Sequence, residues 1–259
     1  KKLYNIYISN PLTFHINRNP AKLIRNLIGE VISATNYIEQ GFGWFGQLDA
    51  LDTEQMYKIK MLSGQPLSVT GMPVDVTTSP IQLIAGYNWI GYLPQNPGDL
   101  SIALASLGDD ALFIKSQASG TATNYVEQGF DWFGQLETLE PGDGYILDMA
   151  NPGTLIYPEF NELSRTATNK ADITLSETIS DWDVHYRDYR YSGTVSVSID
   201  NREDSNGDIV AAFVDGECRG IAERIYFPFD DTYFYILQVY SNEPTGEEMT
   251  FSYYDGMED

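Results

Sequence analysis

A single cysteine, Cys218, stands among 259 residues, so no disulfide can form within the chain. That scarcity ordinarily points to a reducing compartment, although many large bacterial surface proteins also do without disulfides. It rules out zinc sites built on several cysteines. Histidine is as scarce: His15 and His185 are the only two, and neither lies in an HExxH helix. There is no GxSxG nucleophile elbow, no phosphate-binding P-loop and no dinucleotide fingerprint. Cations are few, with 15 Lys and Arg against 37 Asp and Glu, a formal net charge of −22. Phosphate contacts need clustered Lys and Arg, so nucleic acid is not an expected partner, and anionic membrane surfaces are disfavoured for the same reason. No apolar run approaches the roughly 18–20 residues of a membrane span, so no membrane insertion is expected.

The acidity is uneven. Residues 1–165 hold 17 acidic against 9 basic residues, or −8, whereas residues 166–259 hold 20 against 6, or −14. Solubility is one reading of this excess. Calcium is another, because Ca²⁺ takes oxygen ligands and tolerates dense carboxylates. The chain opens on Lys1-Lys2 without a methionine and closes on Glu258-Asp259, just after a strand-like Thr250–Tyr254. Both ends are therefore expected to be cuts in a longer polypeptide.

Aromatic residues make up 13% of the chain, and tyrosine alone occurs 18 times. With glycine and proline at short intervals, this is the composition of short strands and tight turns. The most informative feature is a self-repeat. The segment from Ala34 to Leu51, ATNYIEQGFGWFGQLDAL, returns 88 residues later as ATNYVEQGFDWFGQLETL, with 14 of 18 positions identical. The same offset holds through Tyr57/Tyr145, Met61/Met149 and Leu67/Leu155. Self-similarity at a long period predicts a tandem structural module. It also bears on function, because an active site is normally one asymmetric constellation, whereas duplicated modules are typical of binding arrays and spacers.

Two helices are expected. Asn19–Ile28 has an Asn cap and Pro20 at the first helical position, and Asn96–Gly108 repeats that signature with Gly108 as a stop. Leu3–Ser9 is matched to Ala85–Leu93 as the strand before each helix, with Ile6-Tyr7 standing for Trp89-Ile90. Gly41–Leu51 is read as strand–turn–strand, since Gly41, Gly43 and Gly46 oppose a helix. Val74–Pro80 is read as the joint between copies and Pro158–Ala171 as a linker. Beyond it, Thr194–Ile199 alternates cleanly, and Asp215-Gly216 is a two-residue hairpin signal between Ile209–Val214 and Glu217–Ala222. That register sets Phe213 opposite Cys218 and Ala211 opposite Gly220, making Cys218 a small buried apolar residue rather than a nucleophile. The expected fold is mostly β. Two tandem β-rich modules, 1–75 and 80–160, each carry one short helix and are followed by an immunoglobulin-like β-sandwich at 170–259.

Two sets of candidate site residues emerge. Asp200, Asp204, Asn206 and Asp208 place oxygen ligands in a loop with Gly207 for the turn, as in the first half of an EF-hand loop. The closing glutamate is missing, since Ala212, Phe213 and Val214 follow, and a solvated loop between strands is the other reading. Trp44, Trp89 and Trp132 are either core packing or platforms on which sugar rings stack; exposure separates the two. No catalytic residues stand out, because carboxylates are too many for any one pair to be informative.

Tyr87-Asn88-Trp89-Ile90-Gly91-Tyr92-Leu93-Pro94, Ala103-Leu104-Ala105, Ile114-Lys115-Ser116-Gln117, Trp132-Phe133-Gly134-Gln135-Leu136 and Leu139–Tyr145 form an ordered series. The series resembles the GWNWIGYLP, ALA, IKSQ, GWxGxL and PGxGY repeats of large secreted and surface proteins, common in marine Bacteroidetes and relatives. Asn206–Gly220 resembles the GDxVAAFVxGECRG immunoglobulin-like module that often follows them. Copy one departs from the pattern: it lacks IKSQ and has Asp52–Tyr57 in place of PGxGY. The resemblance implies an extracellular or cell-surface multi-domain protein and transfers no catalytic residue. The expected function is a non-catalytic structural or adhesive segment, with a filament or appendage subunit as one form of it. Its expected partners are other domains of a longer chain or neighbouring subunits. The rival is a set of carbohydrate-binding modules attached to an extracellular enzyme outside this chain, with polysaccharide as the partner.

Overall fold

The computed structural model describes residues 3–7, 21–28, 30–36, 44–48, 51–61, 72–161, 179, 181–199, 207–227 and 231–257. The chain is mostly β and divides into two compact units, Lys1–Thr166 and Ala167–Asp259.

In the first unit the strands are β1 (Leu3–Tyr7), β2 (Ala21–Ile28), β3 (Glu30–Asn36), β4 (Trp44–Gly46), β5 (Met56–Met61), β6 (Ile81–Leu83) and β7 (Gly86–Gly91). After these come β8 (Gly98–Asp99), β9 (Ala111–Ser116), β10 (Thr121–Asn124), β11 (Trp132–Gly134), β12 (Thr138–Leu139), β13 (Gly144–Met149) and β14 (Gly153–Leu155). Ten of them form one antiparallel sheet. β1, β5, β2, β7, β13, β9, β10 and β11 run in that order, β3 pairs with β2, and β4 pairs with β3.

The strands of the two sequence copies pair in matching registers. Ala34, Thr35 and Asn36 face Gly46, Phe45 and Trp44, and 88 residues on, Ala122, Thr123 and Asn124 face Gly134, Phe133 and Trp132. Ile24 lies between Ala34 and Ile59 as Ile114 lies between Ala122 and Leu147. The offset for that strand is 114 − 24 = 90, so the hairpin that follows is two residues shorter in copy two. Ile24-Arg25-Asn26-Leu27 therefore hold the positions of Ile114-Lys115-Ser116-Gln117. At the strand before, Asn5 pairs with Lys58 as Trp89 pairs with Ile146. Asn5 and Ile6, not Ile6 and Tyr7, correspond to Trp89 and Ile90, a shift of one residue from the sequence match. The copies meet where Ile28 pairs with Asn88 and Gln55 bridges to Ile90.

The helix expected over Asn19–Ile28 is absent: Ala21–Ile28 is β2. Local cap signals favour a helix only weakly, and this segment is laddered on both sides, to β3 and to β5, which decides the matter. The second helix exists but is short. It spans Leu100–Ala103 (α1) and continues as a 3₁₀ helix over Ala105–Asp110, broken at Gly108 with φ of +53°. Its cap is Asp99, not Asn96: Asp99 Oδ1 accepts from the N–H groups of Ser101 at 3.0 Å and Ile102 at 3.2 Å. The helix cannot begin earlier because Gly98 belongs to β8 and is wedged against Phe160 and Tyr92. A Cβ there would sit 2.4 Å from the Phe160 ring.

Alternation builds the core. Tyr145, Leu147 and Met149 of β13 are buried while Ile146 and Asp148 stay half-exposed, and β5 repeats this with Tyr57, Ile59 and Met61 against Lys58 and Lys60. In copy two the buried face of β13 shares one core cluster with Leu100, Ala103, Leu104 and Leu107 of the helical segment. Val76 and Phe160 join this core, so the expected joint and the start of the expected linker are packed parts of the first unit.

The second unit is a five-stranded antiparallel sheet in the order β15 (Tyr191–Val197), β18 (Thr232–Ser241), β17 (Glu217–Phe227), β16 (Ile209–Val214) and β19 (Thr250–Tyr254). β17 is shared: residues 217–223 pair with β16, and 224–227 pair with β18. Val210, Ala212, Ala222, Tyr235, Leu237 and Val239 form the core. The Asp215-Gly216 turn has φ of +51° and +82°, the mirror-image turn its sequence predicts. Phe213 faces Cys218, which is 6% exposed. A β-bulge then shifts the ladder so that Ala212, not Ala211, faces Gly220, and Arg219 is the extra residue.

Candidate functional site

The three tryptophans do not form one platform. Residues paired across neighbouring strands share a sheet face. Trp132 pairs with Asn124, lies on the core face and packs against the core cluster. Trp44, at the matching ladder position, is 36% exposed. Trp89 pairs with Ile146 and lies on the opposite face, half-buried, with Lys58 Nζ 5.0 Å from its ring centroid.

Each copy carries a tyrosine latch. The Tyr57 hydroxyl accepts from the Asp52 N–H at 2.7 Å, and the Tyr145 hydroxyl accepts from the Glu140 N–H at 2.8 Å, both positions 88 apart. Burial pushes the Tyr57 phenol up to about 12 and drives that of Tyr145 up as well. Both are neutral anchors for the turn before a strand, unsuited to proton transfer near neutrality.

The face away from the helix is chemically richer. One row crosses the strands as Tyr87, Asp148, Phe113, Thr123 and Phe133, in the order β7, β13, β9, β10, β11. Its aromatic residues stand on alternate strands, hence about 10 Å apart. The adjacent row reads Trp89, Ile146, Lys115 and Thr121. Lys58 and Lys60 continue the same face in copy one. Sequence patterns had singled out neither Lys58 nor Lys60, and offered Lys115 only as part of the Ile114–Gln117 motif. The signal available was the alternation Tyr57-Lys58-Ile59-Lys60-Met61, which places both lysines on one face once the segment is read as a strand.

Burial pulls the Lys115 ammonium down to about 8. In the unfolded chain it titrates near its ordinary value of about 10.4. Between about pH 8 and 10 the unfolded state therefore binds more protons, and stability is expected to rise with pH across that window. Above about pH 10 the buried tyrosines oppose the trend, since they ionise more readily unfolded. Denaturant titrations at pH 7.5, 8.5 and 9.5 should show the rise in the native chain and its loss in Lys115→Met. A Lys115→Met profile parallel to the native one would show that the rise comes from another group.

In the second unit, Asp208 is 1% exposed, and its Oδ1 accepts from the Gly256 N–H at 3.0 Å. Asp200, Asp204 and Asn206 lie outside the described residues. No group of three or more His, Cys, Asp or Glu side chains placed to hold a metal occurs among the described residues. No helix among them is long and apolar enough to cross a membrane. Cys218 donates to Gly220 O at 3.6 Å, and burial pushes its thiol up, the opposite of an activated nucleophile. Arg219, which the sequence offered only as part of a motif, makes several polar contacts here. Its guanidinium reaches Glu217 at 3.2 Å, Glu247 at 3.5 Å and Tyr240 O at 3.3 Å.

Comparison with known proteins finds no matching family model, no matching curated protein and no matching solved structure.

Proposed function

We propose that this chain is a non-catalytic structural or adhesive segment of a secreted or cell-surface multi-domain protein, with a filament or appendage subunit as one form of it. The observation that supports this reading is duplication. The sheet registers, the aromatic hairpin and the tyrosine latch all occur twice within the first unit. A catalytic centre needs one asymmetric set of groups, whereas a spacer or adhesive array gains from repeating one stable module. The buried thiol and the high phenol values are those of packing residues. The natural partners are further domains of a longer chain or neighbouring subunits, in an extracellular setting. The rival reading, carbohydrate-binding modules serving an enzyme elsewhere, loses its three-tryptophan platform because Trp89 is on the other face. Beads coated with the chain are expected to adhere to cell envelopes or to one another under flow, while the soluble chain leaves a panel of glycosidic, ester and peptide substrates intact. Turnover of any of them, lost on point substitution, would overturn the proposal.

Calcium belongs to the same proposal. Asp208 is a buried carboxylate, and Asp200, Asp204 and Asn206 precede it closely in the sequence, in a unit at −14. A divalent ion bound to the folded state alone raises stability by about 2.7 kcal/mol at a hundred times its dissociation constant. Melting curves of the full chain with millimolar Ca²⁺ and with chelator should separate, and Asp200→Asn with Asp204→Asn should close the gap. Coincident native curves would leave the carboxylates as solubilising groups.

A further inference from the structure

The sheet face away from the helical segment combines two properties that are unusual in this chain. It is cationic: among the described side chains of its strands, Lys58, Lys60 and Lys115 stand on it against one carboxylate, Asp148, within a unit of net charge −8. It is also aromatic, with Tyr87 57% exposed and Trp89, Phe113 and Phe133 half-exposed. The hydrophobic core lies on the other face. Tyr87, Trp89, Phe113 and Phe133 belong to copy two, and copy one contributes Phe45, 61% exposed at the ladder position of Phe133, together with two of the three lysines. The two properties meet where Lys58 lies over Trp89.

We infer that this face binds an acidic polysaccharide, a chain of sugar rings bearing carboxylates or sulfate esters. Aromatic rings offer flat apolar surfaces to the C–H faces of pyranose rings. Tyr87, Phe113 and Phe133, on alternate strands about 10 Å apart, make a regular track across the sheet for an extended polymer. Lys115, in the next row, and Lys58, beside Trp89, flank that track and meet the polymer's anionic groups as compact point charges. Asp148, within the track, accepts from sugar hydroxyls. A neutral glycan would use the rings but gain no charge pairing from the lysines. Nucleic acid would also stack on the rings, but its dense phosphate charge requires far more cations than three against a molecule at −22. The inference rests on the adhesive reading above and names the ligand class for it.

The test uses the full chain with sodium polygalacturonate and dextran sulfate as the two anionic probes, neutral dextran and single-stranded oligo(dT) as controls, and tryptophan fluorescence with calorimetry as readouts. At least one anionic probe should bind at low salt, and binding should weaken on raising NaCl from 20 to 300 mM. Tyr87→Ala and Lys115→Gln should each weaken it at least tenfold, while Trp44→Ala, on the other face, leaves it unchanged. Unaltered circular dichroism and melting of Tyr87→Ala separate loss of the site from loss of the fold. Absence of binding to both anionic probes, equal binding of neutral dextran or oligo(dT), or insensitivity to Tyr87→Ala and Lys115→Gln would each overturn the inference. So would self-association that the same two substitutions abolish, because the face would then belong to a second copy of the chain. None of these results touches the substrate panel or the bead assay, so the adhesive reading stands or falls separately.

Discussion

Replacing Gly134 with alanine is expected to destabilise the first unit by about 2–5 kcal/mol, combining backbone strain with overpacking. Gly134 has φ of +152°, outside the range L residues adopt easily. A Cβ built on it would lie 2.1 Å from Thr121 O and 2.8 Å from Ala122 Cα. These are backbone atoms of β10, the strand Gly134 pairs with, and they can retreat only by opening the ladder between β10 and β11. Gly46, at the matching position of copy one, has φ of +153° and pairs with Ala34. Gly46→Ala is therefore expected to destabilise in the same direction. Gly193→Ala is the control. Its added Cβ meets only the Val239 side chain at 3.6 Å, an ordinary contact, and stability should stay within about 1 kcal/mol of the native value. Chemical denaturation of the three variants decides it: a Gly134→Ala midpoint equal to that of the native chain would mean that β10 and β11 are not paired as described.

The aromatic hairpin was legible because its own sequence repeats, and the repeat exposes which positions matter. Ala34-Thr35-Asn36 and Trp44-Phe45-Gly46 recur 88 residues on, and the ladders recur with them. The Asp215-Gly216 turn was legible for a local reason, since both residues tolerate positive φ and the flanking strands alternate. The errors came where tertiary partners outvote local signals. Asn19-Pro20 starts a helix as convincingly as Asp99 does, yet Ala21–Ile28 is claimed by β3 and β5 from either side. The bulge at Arg219 was invisible because its cause is remote: a Cβ at Gly220 would come within 2.6 Å of Gln238 O, so that residue must face β18 and the chain makes room one residue earlier.

The cationic and aromatic face was hidden for a topological reason. β13 lies between β7 and β9, so Asp148 becomes the neighbour of Tyr87, 61 residues before it, and of Phe113, 35 residues before it. The residue that sequence patterns favoured most, tryptophan, turned out to serve both faces. Trp132 packs on the core and Trp89 sits with Lys58 on the other side. Residue type alone pointed to three equivalent rings. Strand alternation separates them, which is why the polysaccharide inference stands on Tyr87, Phe113 and Phe133 instead.

Arg219→Ala is expected to destabilise the second unit by about 2–4 kcal/mol, because it removes one partner from a largely buried ionic cluster. Arg219 leaves the β16 ladder at the bulge, and its side chain turns into a pocket of aromatic rings and carboxylates. The guanidinium lies 4.7 Å from the Tyr189 centroid, and Tyr189 stacks on Tyr240 at 6.1 Å. The Tyr189 hydroxyl donates to Glu217 at 2.7 Å, and Ser241 donates to Glu247, so both carboxylates that hold Arg219 are themselves held. Burial and the hydrogen bond to Glu217 both push the Tyr189 phenol up, so the cluster keeps its hydrogen bonds across the physiological range. The cluster ties three separate stretches together: the approach to β15, the bulge in β17, and the end of β18 with Glu247 beyond it. Losing the guanidinium leaves Tyr240 O without that donor and Glu247, three-quarters covered, without its cation. Glu217 is mostly exposed and can return to water, so its share of the loss is small. The asymmetry gives the decisive comparison. Glu247→Gln should cost more than Glu217→Gln, and in a double-mutant cycle Arg219→Ala should couple to Glu247→Gln by about 1–2 kcal/mol but only weakly to Glu217→Gln. A loss below about 0.5 kcal/mol for Arg219→Ala, or equal coupling to both glutamates, would show that the bulge is held by the Gly220 contact alone.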